Sequence, residues 1–234
     1  MIPRPVPRLW FGPALRGVVA LGVLLSLAGC TFAPGGGGVL RATGAADPPP
    51  TRMAVAQGNV MIAGPRGFCI DRDASAERKG GGALTVLSAC RAMGGGLFAP
   101  RPAHDAVLTA AVAAPGPGPA LDTASTGLEA YFASQTGRAA LSRSGKADTV
   151  TVLESLPSDG ALLLHLTDTA PFAWGAVQPD YWRALLAVGG RTVTVSVLAR
   201  PDAGLPREAG LSLLRDFMAS MRAATAEAGR KPAG

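Results

Sequence analysis

The chain has 234 residues, of which 48% are hydrophobic and 5% are aromatic, and its formal net charge is +6. This length fits one ordinary domain or two small ones, and the hydrophobic share excludes a chain that is disordered throughout. With Cys 3, the sequence encodes neither a disulfide-dense miniprotein nor a four-cysteine zinc site.

The first 29 residues have the pattern of a secretory signal peptide. They contain Arg4, Arg8 and Arg16 and no acidic residue, and an apolar run from Val18 to Ala28 follows. That run is shorter than the roughly 20 apolar residues that a membrane-spanning helix needs. A basic start, a short apolar core and a small-residue end together predict export of the chain.

This segment ends in Leu27-Ala28-Gly29-Cys30, which resembles the bacterial lipobox. The resemblance implies removal of the residues before Cys30 and diacylation of that cysteine, and two acyl chains give a stable membrane anchor. Thr31, where an aspartate would favour the inner membrane, implies release to the outer membrane. The alternative is an ordinary signal peptide whose cysteine is incidental. Removing 29 of the 234 residues and three arginines would leave 205 residues with a charge of +3.

The mature chain is predicted to have three parts. Residues 30–52 comprise the lipidated cysteine and a Gly/Pro-rich tether, with glycines at 35–38 and prolines at 48–50. Residues 53–226 are predicted to form the folded domain. Residues 227–234 are predicted to be a disordered tail.

Strands dominate the predicted domain. Val60 and Ile62 alternate before the turn sequence Gly64-Pro65-Arg66-Gly67, and residues 68–70 are predicted to return as a paired strand. Gly189-Gly190 lies between two apolar runs and predicts a tight hairpin, because such turns need positive φ. The further predicted strands are 84–88, 106–113, 149–153, 161–167, 181–188 and 191–198.

Two helices are predicted between and after these strands. The first begins near Thr126, where Glu129 three residues later completes a capping box, and Gly137 marks a break. The second begins at Pro206, and its apolar positions recur at helical spacing; they are Leu211, Leu214, Phe217, Met218 and Met221. The predicted fold class is α+β, a curved and mostly antiparallel sheet with both helices packed on one face.

The order of the last predicted elements resembles that of a known fold. Tyr181-Trp182 near a strand start, the Gly189-Gly190 hairpin, a Val/Thr strand and a long final helix resemble the PsbP-like α/β sandwich and uncharacterised alphaproteobacterial lipoproteins. The resemblance covers about residues 55–226 and implies a binding or assembly role more than catalysis, by analogy of fold.

Two cysteines remain after lipidation, Cys69 and Cys90. In an oxidising periplasm their simplest interpretation is a structural disulfide, which would close a loop of about 22 residues and contribute roughly 3 kcal/mol. A redox-active pair is disfavoured because no Cys-x-x-Cys spacing occurs. Two free buried thiols are the third alternative.

Catalytic motifs are weak throughout the sequence. His165 and Asp168 lie three apart on a predicted strand, so they point to opposite faces and cannot form a dyad. His104 lies in a predicted loop, and two histidines cannot build a multi-histidine metal site within one chain.

The sequence Ser142 to Lys146 also lacks a complete motif. Ser144-Gly145-Lys146 is similar to the end of a phosphate loop, but Ala140 occupies the required glycine position and Ala147 the Ser/Thr position. No Gly-x-Ser-x-Gly sequence occurs either. The sequence therefore predicts no catalytic residue, no metal and no cofactor.

Trp174, Tyr181 and Trp182 concentrate large aromatic side chains within nine residues. They are the predicted binding residues, because Trp and Tyr dominate interface hot spots, although core packing is the alternative interpretation. No basic run with interleaved aromatics indicates a nucleic-acid partner.

The sequence therefore predicts a lipoprotein that is anchored to the membrane through Cys30 and faces the periplasm. Its expected role is that of a non-catalytic binding or assembly module of the cell envelope, with an envelope protein or a small ligand as partner. A hydrolase-like enzyme with an unrecognised site and a purely structural lipoprotein are the alternatives.

Overall fold

The computed structural model of the protein describes residues 47–116, 125–158 and 160–230, except for the side chains of Ser125 and Thr126. The predicted signal peptide, Cys30, most of the predicted tether and the Thr126 side chain of the predicted capping box lie outside these residues. Within the described ranges, no helix combines the length and the hydropathy that a membrane crossing requires.

The described residues form nine strands and three α-helices. The strands are β1 (Arg52–Val55), β2 (Val60–Ala63), β3 (Phe68–Arg78), β4 (Gly82–Ala89), β5 (Ala106–Val112), β6 (Val150–Ser158), β7 (Ala161–Asp168), β8 (Asp180–Val188) and β9 (Arg191–Ala199). The helices are α1 (Ser125–Ala133), α2 (Gln135–Leu141) and α3 (Arg207–Arg230), with short 3-10 turns at Cys90–Met93 and Ala147–Thr149.

Seven strands form one sheet in the order β3-β4-β5-β9-β8-β7-β6, while β1 and β2 pair as a separate hairpin. Every pair of neighbouring strands is antiparallel. The predicted α+β class and the mostly antiparallel sheet are confirmed. The predicted Gly189-Gly190 hairpin is also confirmed, since both glycines have positive φ, at 57° and 69°.

The two faces of the sheet carry separate hydrophobic clusters. Apolar side chains at alternate positions of β7, β8 and β9 pack with α3 on one face, among them Leu163, Trp182 and Val195. The intervening positions, such as Leu164 and Tyr181, pack with α1 and α2 on the other face. The prediction that the helices share one face is therefore wrong. The reason is that β7 is apolar on both sides, so each face needs its own cover.

The pairing of the first strands also differs from the prediction. Strand β2 pairs with β1, in the register Met53 to Ile62, and β3 pairs with β4 instead of returning along β2. The β1–β2 turn places Ala56 and Gln57 at positive φ, and the Ala56 amide donates to Glu77 Oε1 at 2.8 Å. This turn carries no Gly-Gly or Asn-Gly signal, which is why the sequence did not reveal it.

The folded domain extends beyond both of its predicted boundaries, residues 53 and 226. Arg52 already belongs to β1, and the Ile70 amide donates to the carbonyl of Pro50 at 2.7 Å. At the other end, α3 continues to Arg230, and Glu227 pairs with Arg52 at 2.8 Å. Residues 227–230, predicted as disordered tail, are therefore helical; residues 231–234 lie outside the described part.

The predicted disulfide is confirmed. Cys69 and Cys90 are bonded, with a Cα–Cα distance of 4.8 Å. Cys69 lies at the start of β3, and Cys90 follows the end of β4. The bond thus joins β3 to the 3-10 turn that leads away from β4.

The break between α1 and α2 falls at Ser134, whose hydroxyl accepts from the Gly137 amide at 3.1 Å. Gly137 lies where the two helices cross. A Cβ at this position would lie 1.9 Å from the Tyr131 carbonyl oxygen and 2.6 Å from the Phe132 Cα. Only glycine fits this crossing, because the obstructing atoms belong to the backbone.

We expect Gly137→Ala to lower the free energy of unfolding by about 3 kcal/mol, the upper range for overpacking, because the backbone must move. Gly127→Ala in α1 is the matched control, since a Cβ there meets nothing within 4 Å. That control should be neutral or stabilising by up to about 1 kcal/mol. Urea unfolding measures both, and equal effects in the two variants would contradict the crossing described here.

Candidate functional site

Helices α1 and α2 cover only part of their face of the sheet. Beside them lies an open cleft of about 500 Å³, floored by strands β4, β5, β8 and β9. The floor consists of Leu84, Thr109, Ala111, Arg183, Thr194 and Ser196. One wall is the end of α2 with residues 142–143, and the other is the segment 171–174, which includes the half-exposed Trp174.

The cleft is lined by three arginines, Arg78, Arg143 and Arg183, and its described lining contains no aspartate or glutamate. Arg183 is held from two sides. Its Nε donates to Ser196 Oγ at 3.1 Å and its Nη1 donates to the Leu141 carbonyl at 2.7 Å. The guanidinium is therefore fixed between β9 and the end of α2.

Arg143 is held by a buried carboxylate outside the cleft. Its backbone amide and its Nε donate to Asp168 Oδ2 at 2.7 and 3.1 Å, and its Nη2 donates to the Asp168 carbonyl. The Asp168 side chain is fully buried, and its Oδ1 accepts from the Ala170 amide at 2.9 Å. This network fixes the start of the 171–174 wall relative to the end of α2.

The pKa of Asp168 lies below its ordinary value of 3.8. Burial acts to raise this pKa, but it is outweighed by hydrogen bonds from the Arg143 and Ala170 amides, the Thr149 hydroxyl and the Arg143 guanidinium. Asp168 is therefore ionised at neutral pH and compensates the charge of Arg143.

Tyr181 lies beneath the two guanidiniums. Arg143 and Arg183 lie 5.4 and 5.2 Å from the centroid of its ring. Its hydroxyl is buried and has no hydrogen-bond partner among the described residues. Burial raises the pKa of Tyr181, so the phenol stays neutral and the positive charge of the cleft is not cancelled from below.

The three predicted binding residues do not form one surface. Tyr181 and Trp182 are each only 2% exposed and point to opposite faces of β8, while Trp174 is 41% exposed and lines the cleft. The Trp182 indole donates to the Arg207 carbonyl at 3.0 Å within the core beneath α3. Adjacent positions on a strand alternate in direction, so Tyr181 and Trp182 could not share a surface.

The structure places His165 and Asp168 on opposite faces, as predicted. His165 stacks on Trp182 with ring centroids 4.7 Å apart, and its Nε2 lies 2.8 Å from Asp180 Oδ1. His104 lies in the segment before β5, half-buried. Neither histidine lines the cleft.

The serines near α2 form hydrogen bonds within the turn that follows the helix. Ser142 Oγ lies 2.9 Å from Thr149 Oγ1 and 3.1 Å from Ser144 Oγ, in a turn that ends α2. Lys146 is exposed beyond that turn. Across the described residues, no group of three or more His, Cys, Asp or Glu side chains is placed to hold a metal ion.

Sequence reasoning missed Arg143 and Arg183. The available signal was the position of Arg183 inside the otherwise apolar strand Tyr181–Leu186, where a charge needs partners. Its partners come from β9 and α2, so no local pattern could name them.

Comparisons with protein-family models, curated proteins and solved structures found no match to this chain. The resemblance to PsbP-like domains and the lipobox interpretation therefore stay predictions from the sequence.

We expect Asp168→Asn to lower the free energy of unfolding at neutral pH by about 3 kcal/mol, because it leaves the Arg143 charge uncompensated. The stabilisation by ionised Asp168 is complete above its ordinary pKa of 3.8 and is lost as the pH falls through the lower folded-state pKa. The difference between wild type and variant should therefore narrow below that pH.

Urea unfolding of both proteins from neutral pH to about pH 2 measures this difference. Asp216→Asn, at an exposed position of α3, is the control and should change stability by no more than about 0.5 kcal/mol. A difference between wild type and Asp168→Asn that is independent of pH would contradict the role of the ionised carboxylate.

Proposed function

We propose that the mature protein is a lipid-anchored binding module of the bacterial envelope, and that the cleft takes a small anionic ligand. The observation that carries the proposal is the composition of the cleft. Three arginines and no described acidic residue line a volume of about 500 Å³, which lies within the range of roughly 300–1,000 Å³ typical of small-molecule sites.

The polar groups of the cleft favour a ligand with one acidic group. The guanidinium of Arg183 is oriented before any ligand arrives, because Ser196 and the Leu141 carbonyl each accept one of its hydrogen bonds. A fixed arginine binds a carboxylate or phosphate through charge-assisted hydrogen bonds at little cost in side-chain entropy.

The walls favour an apolar part in the same ligand. Phe172 and Trp174 form an edge-to-face pair with ring centroids 5.2 Å apart, and both line the cleft with Leu84 and Leu141. An aromatic or alkyl group would bury surface against them. The supported ligand class is therefore a small carboxylate or phosphate with an apolar substituent.

Binding is favoured over hydrolysis by the chemistry of the lining. General acid–base catalysis uses a histidine, carboxylate, cysteine, lysine or tyrosine near the reacting group. The described lining has instead arginines, small hydroxyl residues and apolar side chains. Ser142 lines the cleft, but its oxygen contacts only other hydroxyls and backbone.

The anchor is proposed from the sequence Leu27-Ala28-Gly29-Cys30. Acylation at Cys30 would hold the module at the membrane and facing the periplasm, and Thr31 favours the outer membrane. The confirmed Cys69–Cys90 disulfide is consistent with an oxidising compartment.

Intact mass spectrometry of protein purified from native membranes tests the anchor. We expect a mass that lacks residues 1–29 and carries acyl chains, and we expect Cys30→Ala to abolish both changes. A processed chain without acyl groups would contradict the lipoprotein proposal and support an ordinary signal peptide.

Ala111→Trp tests the cleft. This exposed alanine lies on the cleft floor, so an indole there should fill the space without disturbing the core. Protein purified from the native envelope should release an acidic small molecule on solvent extraction, and the variant should release at least about tenfold less, since each 1.4 kcal/mol of lost affinity is tenfold.

Ala187→Trp is the matched control, because Ala187 is also exposed, lies in a strand on the same sheet face and does not line the cleft. It should release as much ligand as wild type. The proposal fails if wild type releases no stoichiometric ligand, or if Ala111→Trp and Ala187→Trp release equal amounts.

A further inference from the structure

Two large apolar side chains stand out on the surface of the domain. Leu97 is 82% exposed and Phe98 is fully exposed. They are consecutive residues in the segment 94–100, between the 3-10 turn Cys90–Met93 and β5. We call this segment the Leu-Phe loop.

The Leu-Phe loop is held by hydrogen bonds. The Gly95 amide donates to the Cys90 carbonyl at 2.8 Å, and Arg91 Nη2 donates to the Leu97 carbonyl at 2.6 Å. Cys90 is itself fixed by the disulfide to Cys69. These bonds therefore hold the loop in place, while Leu97 and Phe98 are exposed to solvent.

The chain that leads from Cys30 enters the domain beside this loop. Asp47, Pro49 and Pro50 line one shallow hollow together with Met93, the residue that ends the 3-10 turn before the loop. Pro50 is fastened there, since its carbonyl accepts from the Ile70 amide at 2.7 Å.

The length of the intervening chain sets how near the membrane this end of the domain lies. Sixteen residues, 31–46, separate Cys30 from Asp47. At roughly 3.5 Å per residue they span about 55 Å at most. An acylated Cys30 would thus keep the Leu-Phe loop within reach of the bilayer.

We infer that Leu97 and Phe98 insert into the interfacial region of the bilayer to which Cys30 is anchored, and so orient the domain on the membrane. The inference rests on the proposed anchor. Transfer of large apolar side chains out of water is favourable, so insertion adds to the acyl anchor. The site is a second membrane contact, made by side chains of the folded domain.

Apolar contact drives this docking more than charge does. Arg91 and Arg101 flank the Leu-Phe loop, but Asp47, Asp71 and Asp73 line the neighbouring hollow. The local charges are thus mixed. We therefore expect insertion to depend weakly on the fraction of anionic lipid.

Depth-dependent fluorescence quenching tests the inference on the acylated protein. Phe98→Trp is reconstituted into vesicles of phosphatidylethanolamine and phosphatidylglycerol with brominated acyl chains, and the wild-type signal is subtracted. Leu153→Trp is the control, because Leu153 is 51% exposed on β6, at the opposite edge of the sheet. We expect quenching at position 98 and none at position 153. Absence of quenching at 98, or equal quenching at both, overturns the inference.

A second arm separates the loop from the anchor. The chain from residue 30 with Cys30→Ala carries no acyl group, and its vesicle binding should fall about tenfold when Leu97→Ser and Phe98→Ser are added. Leu153→Ser should leave binding unchanged. Binding that is insensitive to Leu97 and Phe98 contradicts the inference even if Cys30 proves to be acylated. If intact mass shows no acylation while the loop still binds vesicles, the anchor proposal fails, and Leu97 and Phe98 are supported as a membrane contact independent of Cys30.

Discussion

The structure depends on strands that are apolar on both sides. Along β7, Ala161 and Leu163 face α3, while Leu162, Leu164 and Leu166 face α1 and α2. Exposure of either apolar face of this strand to water would be unfavourable, so the sheet is covered by helices on both sides. Helix α3 covers the centre of one face, and the short pair α1–α2 covers only the β6–β7–β8 side of the other. The uncovered remainder is the cleft.

Arg183 connects this packing to the proposed chemistry. It points to the α2 face from β8 and donates hydrogen bonds to Ser196 Oγ on β9 and to the Leu141 carbonyl at the end of α2. A charge in this position is tolerated because its hydrogen bonds are satisfied and the cleft is open to water. The residues that complete the fold at the end of α2 therefore also orient the group proposed to bind the ligand. Asp168 plays the complementary part, since it neutralises Arg143, so that the charge of the cleft is set by Arg78 and Arg183.

The sequence predicted the elements far better than their arrangement. Sequence patterns located eight of the nine described strands and α3, since Phe217 and Met221 repeat at the helical spacing, and the disulfide followed from the count of cysteines. The β1–β2 hairpin was missed because two of the three turn residues at positive φ, Ala56 and Gln57, are not glycine. The face that each helix covers was also missed, because the choice is made by contacts between segments distant in sequence. The separation of the three predicted binding residues was missed for the same reason, because the proximity of Trp174, Tyr181 and Trp182 along the chain does not show which sheet face each one occupies.

We expect ligand to bind at the Trp174 wall of the cleft and to leave the opposite face of the sheet unchanged. The most direct test is the pair of indole N–H resonances of the mature protein, from Trp174 and Trp182, recorded before and after the native ligand is extracted. We expect the Trp174 resonance to shift on extraction, while that of Trp182, whose indole donates to the Arg207 carbonyl under α3, stays in place. A shift confined to Trp182, or no shift at either indole, would contradict it.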